Sequence, residues 1–241
     1  MPNLLLLDAG NTRIKWAIVV DGVRRQQGTA PTADGAGLRQ SFAGLPAPDR
    51  VLASNVAGDS VARDIVSACA AWSCAVEFIT AQKNQCGVSN HYAQSAQLGS
   101  DRWAALIAAW HRVHAACIVA NCGTATTVDA LSGTGEFIGG LILPGLDMMR
   151  NSLAAGTAQL GVSSGVWRDF PRNTGDAIYS GAIKATAGAI REQYGLLGAP
   201  DARCLLSGGA ASLIEPHLGL PVLRAEDLVL LGLQLIGQET E

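Results

Sequence analysis

The segment of this 241-residue chain most suited to chemistry is residues 8–15, Asp-Ala-Gly-Asn-Thr-Arg-Ile-Lys. An apolar strand brings the Asp8 carboxylate to its end, Gly10 permits a tight turn, and Lys15 adds a cation. Such a hairpin can surround a phosphate and keep a carboxylate near the metal ion that accompanies it. The same residue types are typical of an ordinary hairpin turn, so the segment alone leaves both interpretations open.

A similar turn occurs in the second half of the chain, at residues 121–127, Asn-Cys-Gly-Thr-Ala-Thr-Thr. Three positions match at a constant separation: Asp8 with Asn121, Gly10 with Gly123, and Gly22 with Gly135. The matches indicate an internal duplication, although two unrelated β-meanders would give a similar pattern. Two such turns can hold one polyphosphate between them. Neither turn has the spacing of a P-loop or of a Rossmann glycine motif.

A second candidate site is residues 99–102, Gly-Ser-Asp-Arg, at the start of a predicted helix. Asp101 can act as a general base and Arg102 as a clamp for a carboxylate or phosphate. An acid in the first turn is equally typical of an ordinary helix start. We expect the helix N-terminus to lower the pKa of Asp101, which weakens a base, but a phosphoryl acceptor needs only partial deprotonation.

Two glycine pairs, Gly139-Gly140 and Gly208-Gly209, follow or interrupt predicted strands. At such positions the backbone closely approaches either a ligand or a packed neighbouring element. The sequence does not distinguish these two cases.

Alternating and continuous apolar runs predict the elements that position these residues. We predict strands at residues 4–8, 13–20, 22–28, 51–54, 75–79, 117–120, 125–131, 136–143 and 204–207. We predict helices at residues 36–43, 58–71, 101–114, 146–155, 176–194 and 225–238, and a Gly/Ser-rich loop at 156–172. The pattern predicts two similar α/β domains, residues 1–114 and 115–241, that face a cleft.

Composition excludes several classes of function. Apolar residues make up 49% of the chain, which excludes extensive disorder, and the net charge of −3 provides no basic surplus for binding nucleic acid. No apolar run is long enough to span a membrane, and the N-terminal sequence lacks a positively charged leader. Six cysteines without a CxxC pair are typical of reduced thiols, so we expect a cytoplasmic protein.

The motifs together resemble those of the type III pantothenate kinases, members of the acetate and sugar kinase/Hsp70/actin superfamily. The similarity extends nearly end to end, through LLLLDAGNTRIKWAIV, YAQSAQLGSDRWAALIAAW, GTATTVDAL, GGLILPG, NTGDAIYSG and LSGGAA. It implies two ribonuclease-H-like (actin-like ATPase) domains related by internal duplication, with the active site in the interdomain cleft. It also implies a homodimer that phosphorylates pantothenate with ATP and Mg²⁺, the first step of coenzyme A synthesis.

The resemblance also implies roles for individual residues. The ATP phosphates would be bound by Asp8, Ala9, Gly10, Asn11, Thr12, Arg13, Lys15 and, from the second domain, Thr124. Asp8 would orient Mg²⁺ through water, and Asp101 would take the proton of the substrate hydroxyl. Pantothenate would contact Tyr92, Gly99, Ser100, Asp101, Arg102 and Thr174, the last near the dimer contact.

Two positions depart from the family pattern. Ser100 replaces the usual Ala of a GADR motif, a small change at a small position. Asn121 replaces an Asp that ligates a monovalent cation in many members, and a neutral amide binds K⁺ or NH₄⁺ less well than a carboxylate does. A sugar or acetate kinase of the same superfamily, or a noncatalytic nucleotide-binding regulator, remain the alternative functions.

Overall fold

The computed structural model describes residues 2–156 and 164–239, which form two compact units. Unit 1 comprises Met1–Arg112 and Asp227–Glu241, and unit 2 comprises Val113–Glu226. The division lies next to the boundary predicted after residue 114. The C-terminal segment differs from the prediction, because it belongs to unit 1 and not to the second half of the chain.

The elements alternate between strands and helices. The first part of the chain forms β1 (Leu4–Ala9), β2 (Arg13–Val20), β3 (Val23–Pro31), α1 (Gly35–Ser41), β4 (Arg50–Asn55), α2 (Asp59–Cys69), β5 (Val76–Phe78), β6 (Asn84–Gln85), β7 (Val88–Asn90) and α3 (Ser100–Val113). The second part forms β8 (Cys117–Cys122), β9 (Ala125–Leu131), β10 (Glu136–Pro144), α4 (Leu146–Gly156), α5 (Thr174–Leu197), β11 (Arg203–Ser207), α6 (Ala211–Ile214), β12 (Val222–Arg224) and α7 (Leu228–Gln238). Among the described residues, no helix has both the length and the apolar character that crossing a membrane requires.

The sheet of unit 1 has the strand order β3-β2-β1-β4-β5. β1, β2 and β3 pair antiparallel, whereas β4 pairs parallel to β1, and β5 pairs parallel to β4. The four leucines of β1 are fully buried because both faces of the sheet are covered. Leu5 and Leu7 join the core that includes residues of α1 and α2, and α7 packs on β1, β2 and β4.

Helix α7 contacts a second element of unit 1 closely. A side chain at Gly232 would collide with the backbone of Ala104 in α3, so this glycine allows the two helices to approach. The leucines of α7 lie on several faces of the helix, as expected for a helix that is buried between other elements. This packing explains why the C-terminal helix belongs to unit 1.

Unit 2 repeats the arrangement of unit 1. Its strands have the order β12-β11-β8-β9-β10, with β8, β9 and β10 antiparallel and β11 and β12 parallel to β8. The matched turn glycines, Gly22 and Gly135, both adopt a left-handed conformation, with φ of 77° and 82°. The repeated order and turn geometry support the predicted duplication.

Three short strands were not predicted. β6, β7 and β12 have two or three residues each, too few to produce a periodic pattern. Helix α7 begins at Leu228 and not at residue 225. The predicted loop at 156–172 lies partly outside the described residues.

Candidate functional site

The β1–β2 hairpin of unit 1 forms the predicted turn. Ala9 is buried at the end of β1, Asn11 to Arg13 are exposed, and the amide of Gly10 donates to the carbonyl of Arg13 at 3.1 Å. The hydroxyl of Thr32 donates to the carbonyl of Gly10 at 2.6 Å, and its amide donates to the carbonyl of Thr12 at 3.1 Å. Thr32 therefore fixes the turn from the end of β3, a contact that nothing in the local sequence indicates.

Asp8 lies where β1 meets its two neighbouring strands. In the sheet register it lies opposite Lys15 on β2 and opposite Ser54 on β4. Burial raises the pKa of Asp8 to about 7. The charge of Asp101 raises it further, the charge of Lys15 opposes this in part, and Asp227 adds the smallest increase. The carboxylate therefore lacks sufficient compensating positive charge within unit 1.

Asp101 lies in the first turn of α3, as predicted. One of its oxygens accepts from the backbone amide of Arg102 at 2.8 Å. The pKa of Asp101 is raised, because burial outweighs the opposing effects of this hydrogen bond and of the Arg102 charge. The backbone amides at the helix start lower this pKa, as expected, but burial, which only the fold produces, outweighs them.

Gly99 makes room for this carboxylate. A Cβ at Gly99 would lie 2.7 Å from Oδ1 of Asp101. Ser100 connects the same helix start to the sheet, because its hydroxyl lies 2.9 Å from that of Ser54. Gly99 and Ser100 thus both help to fix the position of the Asp101 carboxylate.

Arg102 and Tyr92 contact each other, as their predicted common role requires. Nη1 of Arg102 donates to the Tyr92 hydroxyl at 3.3 Å, and the guanidinium lies 5.9 Å from the ring centroid. Arg102 is only 6% exposed. Asn90, fully buried, accepts from the amide of Tyr92 at 3.0 Å and donates to the carbonyl of Ser95, which orients the segment before α3.

The predicted site residues of unit 2 occupy two places. Thr124 lies in the β8–β9 turn, where its carbonyl accepts from the amide of Gly145 at 3.0 Å. A side chain at Gly145 would collide with this turn. Exposed Thr174 begins α5 after its N-cap Asn173, beside a largely apolar groove of about 940 Å³ between α4 and α5.

The two glycine pairs differ in what they approach. A side chain at Gly208, where φ is 93°, would collide with the backbone of Cys122, so this glycine packs on the end of β8. Gly139 lies at an irregularity in the β9–β10 pairing, and a Cβ at this position would have no described atom within 4 Å. Close packing against the protein explains Gly208 without a ligand.

The monovalent-cation position gains no carboxylate from its neighbours along the sheet. Asn121 pairs with Thr127 on β9 and with Ser207 on β11, whereas buried Asp129 pairs with Val119. Within the described residues, no group of three or more His, Cys, Asp or Glu side chains is placed to hold a metal ion. Weak cation binding at Asn121 stays a prediction.

Sequence reasoning missed Asp227, whose carboxylate accepts from Nζ of Lys15 at 2.8 Å. The residue directly precedes α7 in a left-handed conformation. The prediction placed it inside the helix, and an acid at a helix start carries no signal of a distant partner.

Solved structures share this fold. The ethanolamine utilization protein EutJ from Carboxydothermus hydrogenoformans aligns with a TM-score of 0.58 and 14% identity, covering 98% of this chain and 90% of that chain. The activator of the 2-hydroxyisocaproyl-CoA dehydratase from Clostridium difficile, with bound ADPNP, aligns with a TM-score of 0.52 and 12% identity, covering 97% and 92%. The chain has the two-domain α/β fold of the acetate and sugar kinase/Hsp70/actin superfamily.

Sequence comparisons are more specific. The family model for type III pantothenate kinase matches residues 4–195. A type III pantothenate kinase from Aromatoleum aromaticum is 47% identical over 237 residues, 98% of each chain. Another from Nitrosospira multiformis is 46% identical over 244 residues, 99% of this chain and 92% of that protein. The chain belongs to the type III pantothenate kinase family.

Proposed function

We propose that this kinase transfers the γ-phosphoryl group of ATP to pantothenate, giving 4′-phosphopantothenate in the first step of coenzyme A synthesis. The observation that carries the proposal is a pair of half-buried acids, Asp8 and Asp101, in one unit of a chain of this family. Asp8 lies next to the turn that we assign to phosphate binding, and Asp101 lies in the first turn of α3, where we assign the acceptor hydroxyl. We propose that the enzyme works in the cytoplasm.

The β1–β2 hairpin binds the triphosphate in this proposal. Its exposed residues, Asn11 to Arg13, present backbone amides and short polar side chains, and Lys15 adds a positive charge. Asp8 fits a role beside Mg²⁺, because a partly buried carboxylate with an unbalanced charge favours a hard cation with oxygen ligands. When bound with ATP, Mg²⁺ offsets the charge of the phosphates.

Asp101 accepts the proton of the pantothenate hydroxyl as that oxygen attacks phosphorus. Burial raises its pKa, which makes it a stronger base than an exposed carboxylate. Arg102 faces the pantothenate carboxylate or the transferred phosphoryl group, and Tyr92 holds the guanidinium in place. Most of the acceleration comes from position and electrostatics, as in other phosphoryl transfers.

Unit 2 contributes Thr124 toward the phosphates and Thr174 toward pantothenate. We propose a homodimer in which the contact lies near Thr174. The largely apolar groove beside this residue supports the proposal, because solvent-exposed apolar surface favours association. Sedimentation at micromolar concentrations tests it, and a monomer across that range would contradict it.

An ADP-release assay tests the function. Purified protein with MgATP is given pantothenate, a panel of sugars, acetate or water alone, each with and without K⁺ or NH₄⁺. We expect release only with pantothenate, and little stimulation by the monovalent cations because Asn121 carries no charge. Release with a sugar or acetate would assign another substrate, and nucleotide binding without turnover would indicate a regulator.

A further inference from the structure

Asp227 lies 212 residues from Lys15 in the sequence, yet the two side chains form an ion pair with 2.8 Å between Oδ1 and Nζ. We propose that Asp227 is a positioning residue, which holds the Lys15 ammonium beside Asp8 for the incoming nucleotide. The inference rests on the proposed function in one respect, the role of the hairpin in binding ATP.

The register of the sheet places this ion pair at the site. Lys15 pairs directly with Asp8 across β1 and β2, so the two side chains leave the same face of the sheet. The Lys15 side chain is 44% exposed and that of Asp227 is 21% exposed. The ammonium therefore remains accessible to a phosphate while one of its three protons is donated to Asp227.

The backbone of Asp227 is held on several sides. The residue is left-handed, with φ of 54° and ψ of 37°, and its carbonyl accepts from Leu231 in the first turn of α7. Helix α7 packs on β1, β2 and β4 and approaches α3 at Gly232. The carboxylate is thus fixed relative to both the strand of Asp8 and the helix of Asp101.

Polar contacts of the same helix fix the hairpin that carries Lys15. Gln234 accepts from Nε of Arg24 at 3.3 Å and donates to the carbonyl of Gly22 at 2.9 Å. These contacts attach the β2–β3 turn to α7. Burial lowers the pKa of the Arg24 guanidinium, and the nearby charge of Asp227 opposes this effect only in part.

A fixed lysine binds phosphate at a smaller entropic cost. A free lysine side chain loses much rotational freedom when it is immobilised by a ligand. The ion pair restricts that freedom before the nucleotide arrives and leaves the remaining donors of the half-exposed Lys15 available to a phosphate. Loss of Asp227 should therefore weaken nucleotide binding and leave the chemical step almost unchanged.

The test measures MgATP binding by calorimetry without pantothenate, and kcat and KM with it. Asp227→Asn keeps the left-handed conformation, which Asn tolerates well, but removes the charge. We expect the Kd and KM for MgATP to rise about three- to tenfold, with kcat within about twofold of wild type. Asp227→Glu should restore most of the affinity.

The matched control is Asp21→Asn, which changes an exposed Asp that is also left-handed and lies in the turn between β2 and β3. It should leave Kd unchanged. A double-mutant cycle with Lys15→Met provides the decisive comparison, because Asp227→Asn should have no further effect once Lys15 is absent. An equal loss of affinity in both backgrounds would overturn the inference, as would a lowered kcat with unchanged Kd.

The calorimetric test of Asp227 does not depend on whether pantothenate is the substrate. Calorimetry measures the nucleotide alone, so failure of the wild-type protein to phosphorylate pantothenate would reject the proposed function without affecting this test. If Asp227→Asn lowers the melting temperature strongly, Asp227→Glu in the two Lys15 backgrounds decides between the same alternatives. A Glu substitution that changes the Kd for MgATP only when Lys15 is present supports the inference, and one that changes it equally in both Lys15 backgrounds rejects it.

Discussion

The hydroxyl of Ser54 lies 2.9 Å from the hydroxyl of Ser100. Ser54 is fully buried on β4, directly beside Asp8 in the parallel register, and Ser100 immediately precedes Asp101. One hydrogen bond therefore connects the strand next to the first acid with the helix that carries the second. Ser100 is therefore more than a neutral replacement for Ala, because its hydroxyl attaches the helix of Asp101 to the strand beside Asp8.

Ser100→Ala should lower both stability and turnover. It leaves the buried hydroxyl of Ser54 without this partner, at a cost of roughly 1–3 kcal/mol in the free energy of unfolding. We expect kcat to fall severalfold while the Kd for MgATP is unchanged, measured by urea unfolding and steady-state kinetics. The double variant Ser54→Ala/Ser100→Ala should be more stable than Ser100→Ala, because no polar group is left unsatisfied.

Ser60→Ala is the control for this pair, since Ser60 is exposed at the start of α2. It should change neither quantity. Equal stability of Ser100→Ala and wild type would mean that the hydrogen bond contributes nothing.

Asp101→Asn removes the proposed base without changing the size of the side chain. Loss of general-base catalysis should lower kcat by about 10²- to 10⁴-fold. The affinity for MgATP should stay within about twofold of wild type, measured by calorimetry. Asp59→Asn, an exposed first-turn acid of α2, is the matched control. Turnover by Asp101→Asn close to wild type would remove Asp101 from this role.

Asp8→Asn should stabilise the protein without nucleotide at high pH. The pKa of Asp8 is about 7 in the folded state, so the folded protein binds this proton more tightly than the unfolded chain does. Wild-type stability from this group is full below about pH 4 and is lost as the pH rises through 7. We expect Asp8→Asn to exceed wild type by roughly 1–3 kcal/mol at pH 8, with no difference at the low end.

Urea unfolding across pH 4–8 measures this difference, with the exposed Asp21→Asn as the control. Parallel stability curves for wild type and Asp8→Asn would contradict the raised pKa. MgATP should reverse the order, because it stabilises only the protein that binds it well.

Gly99→Ala should displace the Asp101 carboxylate. The added Cβ would lie 2.7 Å from Oδ1, and the backbone at Gly99 is not left-handed, so the side chain must move instead of the backbone. We expect kcat to fall about 10- to 100-fold, because small errors in position are costly in catalysis. Nucleotide affinity should be unchanged.

Gly188→Ala is the control for Gly99→Ala. Gly188 lies within α5 with open space around it, so alanine there should be neutral or slightly stabilising. Wild-type turnover by Gly99→Ala would show that Asp101 tolerates displacement.

Sequence patterns predicted the structural features that depend on interactions between neighbouring residues. The β1–β2 hairpin, its glycine turn and the acid at the start of α3 follow from apolar runs, turn residues and helix-start preferences. The repeat of Gly22 at Gly135 predicted the internal duplication, and the same turn geometry recurs in both units.

The tertiary structure decided what depends on distant partners. Asp227 reaches Lys15 because α7, an apolar helix without a distinct polar face, packs on the sheet of unit 1. Burial reverses the expected direction of the Asp101 pKa, and burial is a property of the packed chain. The sequence by itself determined the family, the long strands along the chain and the two acids, since these are encoded by neighbouring residues. The charges that surround those acids required the fold, since electrostatic effects depend on distance in space and on exclusion of water.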